Sequence, residues 1–280
     1  MKVKKTIVTV LYHVFIAGLG LIMIYPVLWM ISGSLKNNPE ILSGSLSLIP
    51  PEWRWENFST GWRGFGHVTF TTYFKNSIII TVIATLGTVL SSAVIAYSLA
   101  RCKYRGRKLI FMVMIGTMLL PGQVVMIPQY LIYNRIGWVG TILPLTVPHF
   151  FGAAFFIYLM MQFMAGIPRE LDEAAIIDGC SKYSVFTRVV FPLLKPALIS
   201  TIIIQFYWKW DDYMGPMLYL GKPEKYTVSI AVKLFADATS KTDYGPMFAM
   251  STLSMIPVFL IFLFFNRYLV EGISTSGLKG

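Results

Sequence analysis

The sequence predicts an all-α, polytopic membrane protein with six transmembrane helices and both termini in the cytoplasm. Three observations carry that prediction. Hydrophobic residues make up 55% of the chain and charged residues only 13%, about half the charged share of soluble domains. Mean hydropathy is +0.63. The few charges are gathered between long charge-free windows, each able to supply the ~20 apolar residues a membrane helix needs. This excludes a disordered chain, a collagen-like chain and an ordinary cytosolic enzyme. The net charge of +11, from 24 Lys+Arg against 13 Asp+Glu, would suit nucleic acid. Basic residues also collect in the cytoplasmic loops of membrane proteins, and their distribution here supports that reading, with no nucleic acid partner.

The windows are taken in order. The first span is expected over about 7–31. Lys2, Lys4 and Lys5 precede it, as in a signal peptide. The apolar run is too long for a signal and no small-x-small site closes it, so it reads as a retained span. The second covers about 76–100. The third, 109–133, holds Pro121 and Pro128, and the fourth, 141–165, holds Pro144 and Pro148. Such prolines are tolerated where neighbouring groups satisfy the freed carbonyls. The fifth, 193–213, carries the Ile202-Ile203-Ile204 run and ends at Asp211 and Asp212; the sixth covers 245–267.

Orientation follows from the lysines and arginines. Arg101, Lys103, Arg105, Arg107 and Lys108 lie between the second and third spans with no acid among them, the strongest positive-inside signal in the chain. Both termini and the 167–192 segment are then expected inside, and the loops 32–75 and 221–243 outside. Cys102 and Cys180 fall on the cytoplasmic side, where thiols stay reduced.

The 167–192 segment has its own structure. Pro168 suits a first helical position, because its missing N–H has no partner there. Glu170, Asp172 and Glu173 sit near the positive end of the helix dipole. Gly179 is placed to end the helix as a left-handed cap. Ser181 caps a second short helix, which must stop before Pro192. The spacing is specific: Glu173-Ala174-Ala175, three residues including Asp178, Gly179, nine residues, Val189, one residue, then Phe191-Pro192.

This pattern resembles the EAA loop of ABC importer permeases, with Val189 and Phe191 where an Ile and a Leu are usual. The resemblance extends further. Trp210-Asp211-Asp212-Tyr213 is similar to the Trp-Asn-Glu-Phe stretch of the carbohydrate-uptake branch. Pro223-Glu224-Lys225-Tyr226-Thr227-Val228 is similar to that branch's Pro-Glu-Lys-Arg-Thr-Leu. The stretch from Asn266 to Lys279 and Gly280 resembles the tail of maltose-type permeases of the G-subunit kind. The resemblance implies a single transmembrane permease domain over 1–280. It implies that Glu173, Ala174, Ala175, Asp178, Gly179 and Pro192 form a coupling helix docking on an ATPase subunit, and that Gly277, Lys279 and Gly280 reach into the ATPase dimer. An amphipathic surface loop and a frayed tail are the plainer alternatives.

The chain has no Gly-x4-Gly-Lys-Ser/Thr phosphate loop; its nearest Gly-Lys is Gly221-Lys222, followed by Pro223. No His/Cys/Glu spacing suits a metal, and no nucleophile–base set stands out. The chain is therefore expected to be non-catalytic and to carry no cofactor. ATP and Mg would be bound by two partner ATPase subunits, in a complex with a second homologous permease and an extracytoplasmic solute-binding protein. Membrane lipid would surround it in the cytoplasmic (inner) membrane of a bacterium, and the cargo would be a sugar or oligosaccharide.

Ionisable residues near a membrane are candidates for a pathway. Lys209, Asp211 and Asp212 lie among Tyr207, Trp208, Trp210 and Tyr213. Carboxylates accept hydrogen bonds from sugar hydroxyls, and aromatic faces stack on sugar rings. Trp210, Asp211, Asp212 and Tyr213 are the candidate pathway residues; an interfacial aromatic belt with a local Lys209–Asp pair is the alternative. His13 and His149 read as packed, hydrogen-bonded residues. Trp53, Trp55 and Trp62 in the 32–75 loop suit either a binding-protein contact or a loop packed on the outer mouth. Two rivals remain: an ABC permease for a non-sugar solute, and a stand-alone secondary transporter. The latter predicts inverted repeats and midplane charges, for which the first four spans give no sign.

Overall fold

The structure is a computed structural model that describes residues 2–236 and 243–277, with side chains described over 8–236 and 243–265. Among the described residues it is helical, without named strands. Four helices among the described residues are long and apolar enough to cross a membrane: Val8–Gly33, Phe70–Arg101, Leu143–Ala165 and Tyr244–Phe265. Two bent pairs raise the number to six if each is one span. In chain order the helices are α1 (Lys2–Gly33), α2 (Asn38–Leu42), α3 (Glu56–Trp62), α4 (Phe70–Arg101), α5 (Arg107–Met118), α6 (Gly122–Arg135), α7 (Leu143–Thr146), α8 (Ala154–Ala165), α9 (Glu170–Ile177), α10 (Lys182–Val185), α11 (Phe191–Leu193), α12 (Lys195–Trp210), α13 (Met214–Tyr219), α14 (Val228–Leu234) and α15 (Tyr244–Gly277).

The bends trace to proline. The window expected to hold a third span is two helices, α5 and α6, meeting at 104°. Pro121 stands between them in extended backbone. It offers no N–H to continue the ladder and disfavours helical backbone at the residue before it. The helix from Lys182 to Leu193 meets α12 at 72°. Pro196, at the second position of α12, cannot donate to the carbonyl of Pro192, so the chain turns at Leu194. Within Lys182–Leu193, Phe186–Val190 is a single π-helical turn.

The chain divides into two compact units. The first comprises residues 1–71 and 231–256. Here α1 turns its apolar side chains outward, as a lipid-facing or partner-facing helix does. Its end is strapped by the 43–49 loop, whose carbonyls accept hydrogen bonds from Tyr25 (2.7 Å to Leu46), Trp29 (3.2 Å to Ser45) and Ser32 (2.7 Å to Leu48). Lys36 is buried, donates to the Ser47 carbonyl and pairs with Glu40 at 3.5 Å. Asn38 Oδ1 accepts from Tyr244 N at 2.9 Å, capping α15. Trp53 and Trp55 are exposed and stacked on each other, 6.1 Å between centroids.

The second unit comprises 72–230 and 257–280. Its core joins Val89, Ala93, Ala96 and Leu99 of α4 to Ile157, Met160 and Met164 of α8, with Val185, Val190, Leu194, Ala197 and Leu198 from the bent pair. The alanines allow the close helix approach on which association in lipid depends. A smaller cluster brings Ile80 and Leu145 against Tyr219 and Leu220. The 222–228 stretch is tied down here: Asn76 Nδ2 donates to the carbonyls of Glu224 (2.9 Å) and Tyr226 (3.0 Å), and Val228 N to Ser77 Oγ (2.9 Å).

Candidate functional site

Two regions of the second unit hold the residues singled out by sequence. The first is the 167–192 segment. Its helix begins at Glu170 with Arg169 as cap, two residues later than expected from Pro168, a shift within the usual fraying of helix ends. It ends in a Schellman arrangement. Cys180 N donates to Ala175 O (2.9 Å) and Gly179 N to Ile176 O (3.0 Å), with Gly179 at φ +83°, where a residue without Cβ is least strained. Ser181 Oγ then accepts from Ser184 N at 3.2 Å and starts the next helix. The turn brings Glu173, Ala174, Asp178 and Gly179 to the surface, while Ala175 packs on the core. Ile177, 85% exposed, and Tyr183, 76% exposed, add apolar area to that surface. Pro192 lies apart from them, at the bend before α12. Lys279 and Gly280 lie outside the described residues; Gly277 is the last residue of α15.

Arg101 is the residue that sequence reading missed. Counted there only as a positive loop charge, it is buried at the end of α4. Its Nη2 donates to the carbonyls of Met164 (2.7 Å) and Ile167 (2.6 Å), and its Nη1 sits 3.4 Å from Asp172 Oδ2. Tyr97 OH donates to Lys182 O (3.1 Å), and Arg169 to Ala100 O (3.4 Å). The end of α4 thus clamps the last turn of α8 and the first turn of α9. The one signal in the sequence was the first arginine of a basic run, at a span end, with an acidic helix start far downstream, too common a pairing to read alone.

The second region lies around the end of α12. Of the four candidate pathway residues, Asp212 lines the cavity beside α12 and the other three do not. Trp210 is buried, stacked on Phe206 at 5.7 Å and tilted on Phe74 at 6.1 Å. Asp211 is exposed as the C-cap of α12, and Tyr213 is half-buried ahead of α13. Asp212 Oδ2 pairs with Lys209 Nζ at 3.0 Å and its Oδ1 accepts from Gly215 N at 3.0 Å. Its backbone carbonyl accepts from Ser229 Oγ at 2.8 Å. The cavity holds about 490 Å³, and Gln123, Gln129, Tyr133, His149, Lys209 and Asp212 line its polar wall. His149 Nδ1 is 3.0 Å from Thr88 Oγ1 and 3.2 Å from Gln205 Nε2. Buried Tyr219 also lines the cavity; burial first, then Tyr133 and Asp212, raises its phenol pKa, so it stays neutral.

Several apolar helices broken by proline, with one exposed helix–turn–helix, define a multi-pass helical membrane protein. The chain belongs to the family of binding-protein-dependent transport system inner membrane components, whose match covers residues 92–275. It is 33% identical to the probable ABC transporter permease protein YurM of Bacillus subtilis, over 91% of this chain and 84% of that one. It is 30% identical to the trehalose/maltose transport system permease protein MalG of Thermococcus litoralis, over 94% of each. Its fold matches a chain in the crystal structure of a bacterial ABC transporter involved in the import of the acidic polysaccharide alginate. That match has TM-score 0.81 at 23% identity and covers 95% of this chain and 98% of that one.

Proposed function

We propose that this chain is the permease subunit of an ATP-driven, solute-binding-protein-dependent ABC importer whose cargo is a sugar, in particular an oligosaccharide. One observation carries the reading: in a member of a binding-protein-dependent transport family, the spaced pattern from Glu173 to Pro192 is an ordered helix–turn–helix whose Glu173, Ala174, Asp178 and Gly179 are exposed. The saccharide-transport names of relatives such as the trehalose/maltose permease support the cargo.

In this reading 167–192 is the coupling segment on the cytoplasmic side, with both termini. Two ATPase subunits, which bind the ATP and Mg, close against it. Glu173 offers a carboxylate to a basic partner, Ala174 lets the partner approach, and the tail at Gly277, Lys279 and Gly280 adds a second contact. Arg101, through Asp172 and the α8 carbonyls, passes the movement of α9 to α4 and α8. A second permease completes the pathway, an extracytoplasmic binding protein delivers the cargo, and Asp212 and the cavity beside it form part of the route. The chain itself performs no catalysis and holds no cofactor.

The test is to purify the complex through a tag on this chain and compare it with Glu173→Ala and Gly179→Ala. Loss of saccharide-stimulated ATP hydrolysis, with the permease still folded, is expected; unchanged assembly and hydrolysis in both variants overturns the coupling assignment.

A further inference from the structure

The cavity beside α12 carries charge on its wall at two places among the described residues, Lys209 and Asp212, besides the imidazole of His149. Those two are 3.0 Å apart and cancel. The pair is held in place. Gly215 N fixes one carboxylate oxygen, Lys209 the other, and Ser229 holds the Asp212 backbone carbonyl. Lys209 and Asp212 are only 19% and 22% exposed, so the pair is partly screened from solvent and its field reaches the cavity more strongly than a surface pair's does. The rest of the polar wall is neutral: the amides of Gln123 and Gln129 and the phenols of Tyr133 and Tyr219. At about 490 Å³ the space falls in the ~300–1,000 Å³ range of small-molecule sites.

From this arrangement we infer that the Lys209–Asp212 pair sets the charge class of the cargo, making the cavity a site for a neutral saccharide and against an acidic one. The inference rests on the sugar-importer reading above and deepens it. Hydroxyls of a neutral sugar can donate to the Asp212 carboxylate and accept from the Lys209 ammonium, and such charge-assisted bonds are the stronger kind. A uronate needs an uncompensated cation. Here Lys209 is already satisfied, and Asp212 repels the incoming carboxylate. The selectivity lies as much in what the wall rejects as in what it binds.

Substitution separates this role from a purely structural one. Asp212→Asn keeps an oxygen for Gly215 N and the shape of the wall, but leaves Lys209 unbalanced. Lys209→Gln leaves the carboxylate unbalanced. The double variant Lys209→Gln/Asp212→Asn is neutral again. The importer complex is purified in detergent without its binding protein, so that the permease alone is read. Binding of maltotetraose and of tetragalacturonate is then measured at low and high salt.

The expected ratio of acidic to neutral affinity rises about tenfold in Asp212→Asn, equivalent to about 1.4 kcal/mol. It falls in Lys209→Gln and returns to the wild-type value in the double variant. High salt shrinks these differences. If both sugars bind and the ratio is the same in all four proteins, the pair is a structural cap of α13 and the inference is overturned while the importer reading stands. If neither sugar binds and the reconstituted complex with its binding protein takes up no saccharide, the importer reading falls and this inference with it.

Discussion

Two ion pairs in the second unit have similar chemistry and different degrees of burial. Arg101–Asp172 is almost closed to solvent, with side chains 6% and 13% exposed. Two carbonyls, of Met164 in α8 and Ile167 just beyond it, accept from its Nη2. Arg101 also lines a cavity, of about 350 Å³, but Asp172 does not; Lys209–Asp212 is more open, and both its members line theirs. The first joins the end of α4 to the end of α8 and the start of α9; removing one member strands a buried charge. The second caps a short helix and leaves both charged groups within reach of a solute. Burial therefore separates a pair that holds the frame from a pair that can read a ligand, although an ion-pair inventory would rank them alike.

Substitutions sharpen that contrast in order of expected size. Arg101→Ala leaves Asp172 and two carbonyls without their partner. Breaking a buried pair in this way costs about 3–5 kcal/mol, so a lower melting temperature of the purified chain and loss of complex assembly are expected. A melting shift no larger than that of Asp212→Asn would break the comparison. Gly179→Ala meets no atom within 4 Å of the added methyl, so only the left-handed backbone opposes it, at about 1–2 kcal/mol. Limited proteolysis is expected to cut the 167–192 segment faster while the rest of the chain stays protected. Ser181→Ala removes the cap on Ser184 N and costs about 1 kcal/mol, readable as a smaller increase in the same cleavage. Asp212→Asn, at a more open pair and with an oxygen kept for Gly215 N, changes stability less than the other three. Its melting temperature should stay near wild type while its sugar preference moves, and a collapse in melting temperature would place this pair with the first.

Much of this was legible in the sequence. Charge-free windows mark the apolar helices, because a membrane span is a matter of local composition. The helix–turn–helix at 167–192 was readable down to Gly179 and Ser181, because capping involves residues two to five positions apart. The bends were not readable: Pro26, Pro128 and Pro257 stay inside continuous helices while Pro121 and Pro196 stand at breaks, so packing decides which proline turns the chain and how far. The aromatic cluster at 207–213 was the least readable. Trp210 and Asp212 are two residues apart, yet one is sealed between Phe206 and Phe74 and the other lines the cavity.

By itself, then, the sequence determined the helical membrane class, the windows of its apolar segments and the capped turn of the EAA-type pattern. Each depends on hydrophobic runs and near-neighbour backbone hydrogen bonds, which short stretches specify on their own. Only the tertiary structure decided which charges pair, which aromatic rings are core, and that His149 meets Thr88 and Gln205 across 61 and 56 residues of chain. Those outcomes depend on distant segments being packed side by side. A buried polar group must find whichever partner the packed helices bring within reach, and no local pattern encodes that partner.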